Sequence, residues 1–523
     1  KGLTAPLFGE NVVGTISNLR VEGTITESAN GKVGIIARSL AVDGDKVGTI
    51  FNCSAAGSIV YSNPNITVAD KLDLINVGGV VGGVYGGSVT LSKSDVNIEV
   101  TMVGPENEAA AYKPCVGGVV GYVCAAGEVL PVVVENENRG SLDWDDVSKS
   151  SQVLPYLGGV AGYVTAGAFE KNINSGVLSV SEAMHELDWG GVVGASSVSI
   201  SECVNAGSLT INEAITKARI GGVVGLPACD VTNCSNSGAV TANSNIKSIW
   251  IGGVVAYTNT DIGNFTNLSN SGAITSTAEV RYLAMGGIIG GSKSTGIHSN
   301  LENTGEIVAL KMENSTTVTM DVGGIIGQVT VDCTLDGTSA YNIVNKGNVR
   351  YEYNNANDYN YLSVGGIVGT FKKKAIVKNV KNENPIQLLS NSSTNKNQTS
   401  YVGGIVGVIA GAGSTLENCI NSNMVYTRER GNCYTDDISA PLVAAQGHFG
   451  GGIIAFMMGD ADNVSTITNC HNTCTLPHTS STSAGVIANR GYIGGVVAYA
   501  KYTNISDCSS TASMLGVNTN IRL

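Results

Sequence analysis

The sequence predicts an all-β chain folded as a parallel β-solenoid, a right-handed β-helix of about 13 to 14 coils in which each short unit gains a core by stacking on its neighbours. Three observations predict it. The motif Gly-Gly-hydrophobic-hydrophobic-Gly/Ala recurs twelve times, beginning at Gly78, Gly117, Gly158, Gly190, Gly221, Gly252, Gly286, Gly323, Gly365, Gly403, Gly451 and Gly494. Each copy is followed by a second half with the consensus apolar-x-Asn-Cys-x-Asn-x-Gly-x-Val, clearest over residues 200–209 and 231–240. The composition supplies the third: 68 Gly but 10 Pro in 523 residues, with 14% charged and 43% hydrophobic. That balance excludes a charged disordered linker, and collagen is excluded because Gly lacks a period of three.

Each element of the unit has a local reason. Two large apolar residues follow every Gly pair, as in Val80-Val81 or Ile325-Ile326. Simple in-out alternation is therefore broken, and the segment is expected to be covered on both sides or bent, with Gly admitting a neighbouring coil. The second half alternates apolar and polar residues, which is a strand signal, and its Asn-x-Gly is expected to supply left-handed backbone at a turn. A unit thus reads strand, turn, strand, turn, strand, then a loop of variable length. Motif starts lie 31 to 48 residues apart, and the minimum is the bare coil. With strands about 4.8 Å apart, the stack is expected to be a rod of roughly 60 to 70 Å. Residues 1–523 are read as one solenoid domain: 1–50 as capping or degenerate coils, 51–514 as regular repeats and 515–523 as the C-terminal end. Lys32-Val33-Gly34-Ile35-Ile36-Ala37 is a degenerate motif copy within the first part.

The formal charge of −12 and pI near 5.0 exclude a typical nucleic-acid binder, which carries a basic stripe. No apolar run reaches the ~18 to 20 residues of a membrane-spanning helix. Lys1 opens no charged n-region with an apolar core, so any signal peptide lies outside the sequence.

At the Gly-pair and Asn-Cys motifs the chain resembles bacterial surface proteins with GLUG-type repeats, in units like Gly-Gly-Leu-Val-Gly followed by Ile-x-Asn-Cys-x-x-x-Gly-x-Val. The resemblance runs from about Phe8 to Met514, with residues 221–240 the cleanest copy, although the third motif position here is usually Val or Ile. It implies export, an extracellular or cell-surface location and a β-helix-like fold, and it transfers no catalytic residue.

Candidate sites are weighed against the repeat. Cys53, Cys203, Cys234, Cys419, Cys470 and Cys508 share one repeat position that elsewhere holds Leu268, Leu301, Ile343 or Val380, so they are read as small buried hydrophobes and not as disulfide staples. Cys115, Cys124, Cys229, Cys333, Cys433 and Cys474 lie outside that row and cannot be paired from sequence. Cys470, Cys474 and His478 have a zinc-like spacing, but Cys470 and Asn472 already belong to the repeat, so no metal or cofactor is assigned. Asn174, Asn205, Asn236, Asn270, Asn303, Asn345, Asn382, Asn421 and Asn472 are expected to form a ladder of hydrogen-bonded amides. Tyr122, Tyr163, Tyr257, Phe456 and Tyr499 after the motif, with Tyr156, Trp250, Tyr401, Phe449 and Tyr492 before it, are read as packing columns; exposed ones would offer faces to sugar rings.

Long insertions mostly fall between the Asn-x-Gly-x-Val strand and the next Gly pair, at residues 143–155, 351–363, 387–400 and 427–447. They are expected to emerge along one edge and to form the binding face. Tyr351, Tyr353, Tyr359 and Tyr361 make the most aromatic of these loops. No Asp or Glu recurs at an aligned strand position, so the chain is read as a non-enzyme. The expected function is a secreted or surface-displayed adhesin or binding scaffold meeting a host or bacterial surface glycan or protein through its loops. The alternative is a structural stalk or filament subunit that self-assembles end to end through coil edges; a polysaccharide-degrading β-helix enzyme is the weaker third reading.

Overall fold

The computed structural model describes residues 3–28, 31–63, 75–102, 113–146, 153–181, 184–261, 263–310, 318–353, 360–390, 399–428, 447–474, 486–488, 491–511, 514–516 and 521–522. All regular elements among them are strands, and stacked strands pair in parallel, giving a parallel β-solenoid. The chain divides into two compact units, one of residues 1–246 with 254–257 and the other of residues 247–253 with 258–523.

One coil of the first unit displays the construction. Met184–Gly190 leads into the Gly pair, the chain bends at Gly191 and Val192, and Val193–Ser196 leaves it. Three short strands follow, Ile200–Ser201, Val204–Asn205 and Leu209–Ile211. Every one pairs in parallel with its counterpart 31 residues on, Gly190 with Gly221, Val193 with Val224, Asn205 with Asn236 and Leu209 with Val240. Each coil therefore contributes to three sheets: a leading sheet before the Gly pair, a following sheet after it, and a third holding the Asn-x-Gly half. The leading sheet contains six strands in the first unit, from Gly31–Val33 to Ile215–Gly221. It contains seven in the second, from Val280–Gly286 to Ile521–Arg522, with Ile246–Gly252 at the division.

The bend explains the apolar doublet. Val192 and Val193 are both fully buried, because the two residues turn opposite ways at a corner with protein on each side. Their amides share one acceptor, the Val223 carbonyl of the next coil, at 2.9 and 3.0 Å. A Cβ on Gly191 would lie 2.0 Å from the Gly222 oxygen and 2.5 Å from Asn205 Cγ, so glycine is required by close approach. The core between the sheets is built from residues such as Ile200, Cys203, Leu209, Ile211 and Trp189, all 0% exposed. Each such side chain contributes about 1.5 to 3 kcal/mol by leaving water, the term that offsets chain ordering.

The turn chemistry differs from the sequence expectation. The glycine of Asn-x-Gly is not left-handed; the left-handed residue is the one before the ladder cysteine, with φ of 54° at Asn233, 54° at Asn418 and 50° at Asn469. Gly207 and Gly238 are demanded by space instead, since a Cβ on either would sit 1.9 Å from the carbonyl oxygen of the matching glycine one coil back.

At the N-terminus, Gly14–Ser17 and Arg20–Glu27 pair in parallel with Lys46–Phe51 and Ser54–Asn63. Val33 of the degenerate motif stands opposite Val77 and Ala37 opposite Val81.

Candidate binding edge

The insertions share one corner of the coil. In short coils the strand after Asn-x-Gly reaches the next leading strand within a few residues, as from Ile211 to Ile215 or from Ala242 to Ile246. Longer segments depart from equivalent register positions: Met102 is opposite both Asn63 and Asp146, and Leu389 is opposite Arg428. They also return in register, Cys115 opposite Tyr156, Val318 opposite Asn360 and Thr399 opposite Gly447. Within each unit the inserted segments are thus anchored along one edge. The central parts of these loops, including residues 354–359, 391–398 and 429–446, lie outside the described residues. So does 475–485, which falls elsewhere, between His471–Asn472 and Val486–Ala488.

Large aromatics sit beneath the edge. Tyr61, Trp144 and Tyr351 are 0% exposed and point inward where the segments leave. Tyr351 is therefore corrected from loop to core: in Val349–Tyr353 it shares the inward parity of Val349 and stands opposite the buried Leu388. Tyr361 is half-buried, with its ring 5.4 Å from that of Tyr401 and its hydroxyl 3.4 Å from Thr370 Oγ1, so it packs in the leading sheet. The Tyr353 side chain and Tyr359 lie outside the described residues.

The aromatic rows form two kinds of column. In the second unit Tyr401, Phe449 and Tyr492 stack at 5.1 Å steps with ring planes 16° and 11° apart, and Phe456 stacks on Tyr499 at 4.9 Å. Their faces are covered by one another, which is packing. In the first unit Tyr85, Tyr122 and Tyr163 are half-buried, the first pair edge-on at 6.1 Å and the second tilted at 6.0 Å. Tyr156 lies 4.7 Å from Tyr163, and burial pushes the Tyr122 phenol up to about 12.

Charged groups beside Tyr156 pair between coils. Lys217 Nζ lies 2.6 Å from Glu186 Oε1, and Arg219 engages both Glu186 and Asp188, with Nη2 3.1 Å from Asp188 Oδ2. Burial raises Glu186, but Lys217 and Arg219 hold it below the usual carboxylate value; burial keeps Asp188 above it in spite of Arg219. In the second unit a buried network centres on Asp321. Its carboxylate accepts from Thr370 Oγ1 at 2.5 Å and from Gln328 Nε2, and burial raises its pKa to about 6.

The asparagine row is continuous within each unit. Each Nδ2 donates to the next coil's Oδ1, Asn174 to Asn205 at 2.8 Å and Asn205 to Asn236 at 2.7 Å. The second unit continues the pattern, Asn270 to Asn303 and Asn303 to Asn345 at 2.9 Å, then through Asn382 and Asn421 to Asn472. The second Nδ2 proton goes to the carbonyl two residues on, as from Asn205 to Gly207 at 2.8 Å. Asn138 also belongs, donating to Asn174 at 2.8 Å, and the Asn-x-Gly at residues 138–140 could have revealed it. In register beyond the ends stand Ser94 and Ser510. The amides are buried and committed to one another, so the row is structural.

Cys203, Cys234, Cys419 and Cys470 are 0% exposed thiols in core positions. Among the described residues no group of three or more His, Cys, Asp or Glu could hold a metal ion, and His478 lies outside them. Among the described residues no helix is long and apolar enough to cross a membrane. No family model, curated protein or solved structure matches the chain.

Proposed function

We propose that the chain is a secreted or surface-displayed, non-enzymatic repeat scaffold that binds a surface glycan or protein through the segments inserted along one coil edge. The observation that carries this reading is the shared register of departure and return, Met102 with Asp146 and Thr399 with Gly447. Such an arrangement leaves the stacked strands to carry stability and the segments free to vary in length and sequence. The resemblance to GLUG-type bacterial surface proteins supports export to an extracellular location. The test removes residues 354–359 and 429–446 separately and together, then probes arrays of glycans and surface proteins. Loss of a wild-type signal with an unchanged strand circular-dichroism spectrum is expected; binding that survives both deletions sinks the reading.

A second reading, a stalk or filament subunit assembling end to end through coil edges, draws on Thr503–Ser506, which pairs with Ser465–Thr468. Ile505 is 49% exposed, whereas Ile467 opposite it is fully buried. A strand edge of this kind accepts a further coil from its own chain or another. End-to-end particles in electron micrographs, together with silent arrays, would favour it.

A further inference from the structure

The row of ladder cysteines is not uniform. Cys419, Cys470 and Cys508 occupy three successive coils, since Ile420, His471 and Ser509, their next residues, are register partners. Cys419 and Cys470 are 0% exposed, but Cys508 is only half-buried. Its Sγ also reaches into the neighbouring coil: it accepts the Cys470 amide at 3.4 Å and lies 3.7 Å from the Ile467 carbonyl oxygen. We propose that Cys470 and Cys508 are a redox modification site, joined by a disulfide clasp between two coils when a small disulfide oxidant is present.

The chemistry balances with one named co-reactant. Cys508 loses its proton to solvent and its thiolate attacks one sulfur of a small disulfide R–S–S–R, forming a Cys508–S–S–R mixed disulfide and expelling RS⁻. The Cys470 thiolate then attacks Cys508 Sγ, forms the protein disulfide and expels the second RS⁻. Both leaving groups take up the two protons, so two thiols and one disulfide become one protein disulfide and two small thiols. Hydrogen bonding from Cys419 lowers the Cys470 thiol pKa, which favours it as the resolving nucleophile.

Geometry sets the selectivity. In-register parallel strands are about 4.8 Å apart, inside the Cα window for a disulfide but wider than its usual Cβ separation of about 3.8 Å. Closure therefore needs one coil to shift by roughly 1 Å. The half-exposed Cys508 coil can give, and an oxidant can reach it. Cys203 is sealed at 0% exposure within a coil paired on both sides and Cys234 is likewise 0% exposed, so they stay reduced.

The experiment incubates the whole folded 523-residue chain with oxidised glutathione, quenches with an alkylating agent in acidified denaturant so that buried free thiols are also labelled, and maps peptides without reduction. The expected product is a Cys470–Cys508 linked peptide, with Cys203 and Cys234 alkylated in the same sample. Adding a small dithiol should restore alkylation of Cys470 and Cys508. The variant Cys508→Ser should leave Cys470 alkylatable while retaining the wild-type melting temperature. A stable glutathione adduct on Cys508 without the linked peptide would overturn the proposal, as would no reaction or equal linking of Cys203 to Cys234.

Discussion

Single buried polar residues decide more here than the apolar ones around them. Asn303 donates to Asn345 Oδ1 and to the Gly305 carbonyl, both at 2.9 Å, and accepts from Asn270. Asn303→Ala removes three buried hydrogen bonds, so unfolding free energy should fall by about 2 to 4 kcal/mol; denaturant titration giving under about 0.5 kcal/mol would show the row to be dispensable. His298 replaces an apolar residue, standing between Phe265 and Leu335 in register, and is 0% exposed with neither ring nitrogen hydrogen-bonded. Burial lowers its pKa to about 4 from the ordinary 6.5. The unfolded chain therefore binds the extra proton first, and stability falls as pH drops from about 6.5 to about 4, by on the order of 2 to 3 kcal/mol. His298→Leu should remove that acid slope in melting curves at stepped pH. Asp321 has the opposite sign: its raised pKa of about 6 makes stability decline as pH rises from the ordinary carboxylate range through 6. Asp321→Asn should accordingly melt higher than wild type at pH 8, and an equal or lower melting point would count against a strained buried charge. Sequence identified the asparagine row because it repeats, but His298 and Asp321 occur once each and carry no pattern to read.

At the level of the element, repetition made the strands legible and left the turns ambiguous. Gly pairs and apolar doublets marked the corner because a bend with protein on both sides is what two adjacent buried residues demand. The left-handed position was misplaced by three residues, since Asn-Cys-x-Asn-x-Gly contains several residues that tolerate φ > 0. Asn233, at φ 54°, takes that conformation, whereas Asn236 and Gly238 serve the ladder and the close approach. Asn233→Val should cost about 1 to 2 kcal/mol more than Asn233→Gly, because both lose the amide side chain and only valine is strained at φ > 0. Equal effects of the two substitutions would contradict the assignment. Strand parity likewise decided the fate of Tyr351: composition placed it in an aromatic loop, yet alternation from Val349 carries it into the core.

For the molecule as a whole, stability resides in coil-to-coil pairing within each unit, and the described ends of the inserted segments are held in register by that pairing. Deleting residues 354–359 or 429–446 should shift the melting temperature by no more than a few degrees, because shortening a loop changes its closure entropy by well under about 1 kcal/mol. A fall of ten degrees or more would mean that these segments brace the strands. The sequence by itself determined that this chain stacks in parallel, because a unit with so little apolar surface gains a core only from identical neighbours, and identity in sequence puts like residues in register. Only the tertiary structure decided which asparagine bends the backbone, whether a tyrosine faces core or solvent, and how deeply His298, Asp321 and Cys508 are covered. Those properties depend on what the adjoining coil places a few ångströms away, and a repeat consensus averages that difference out.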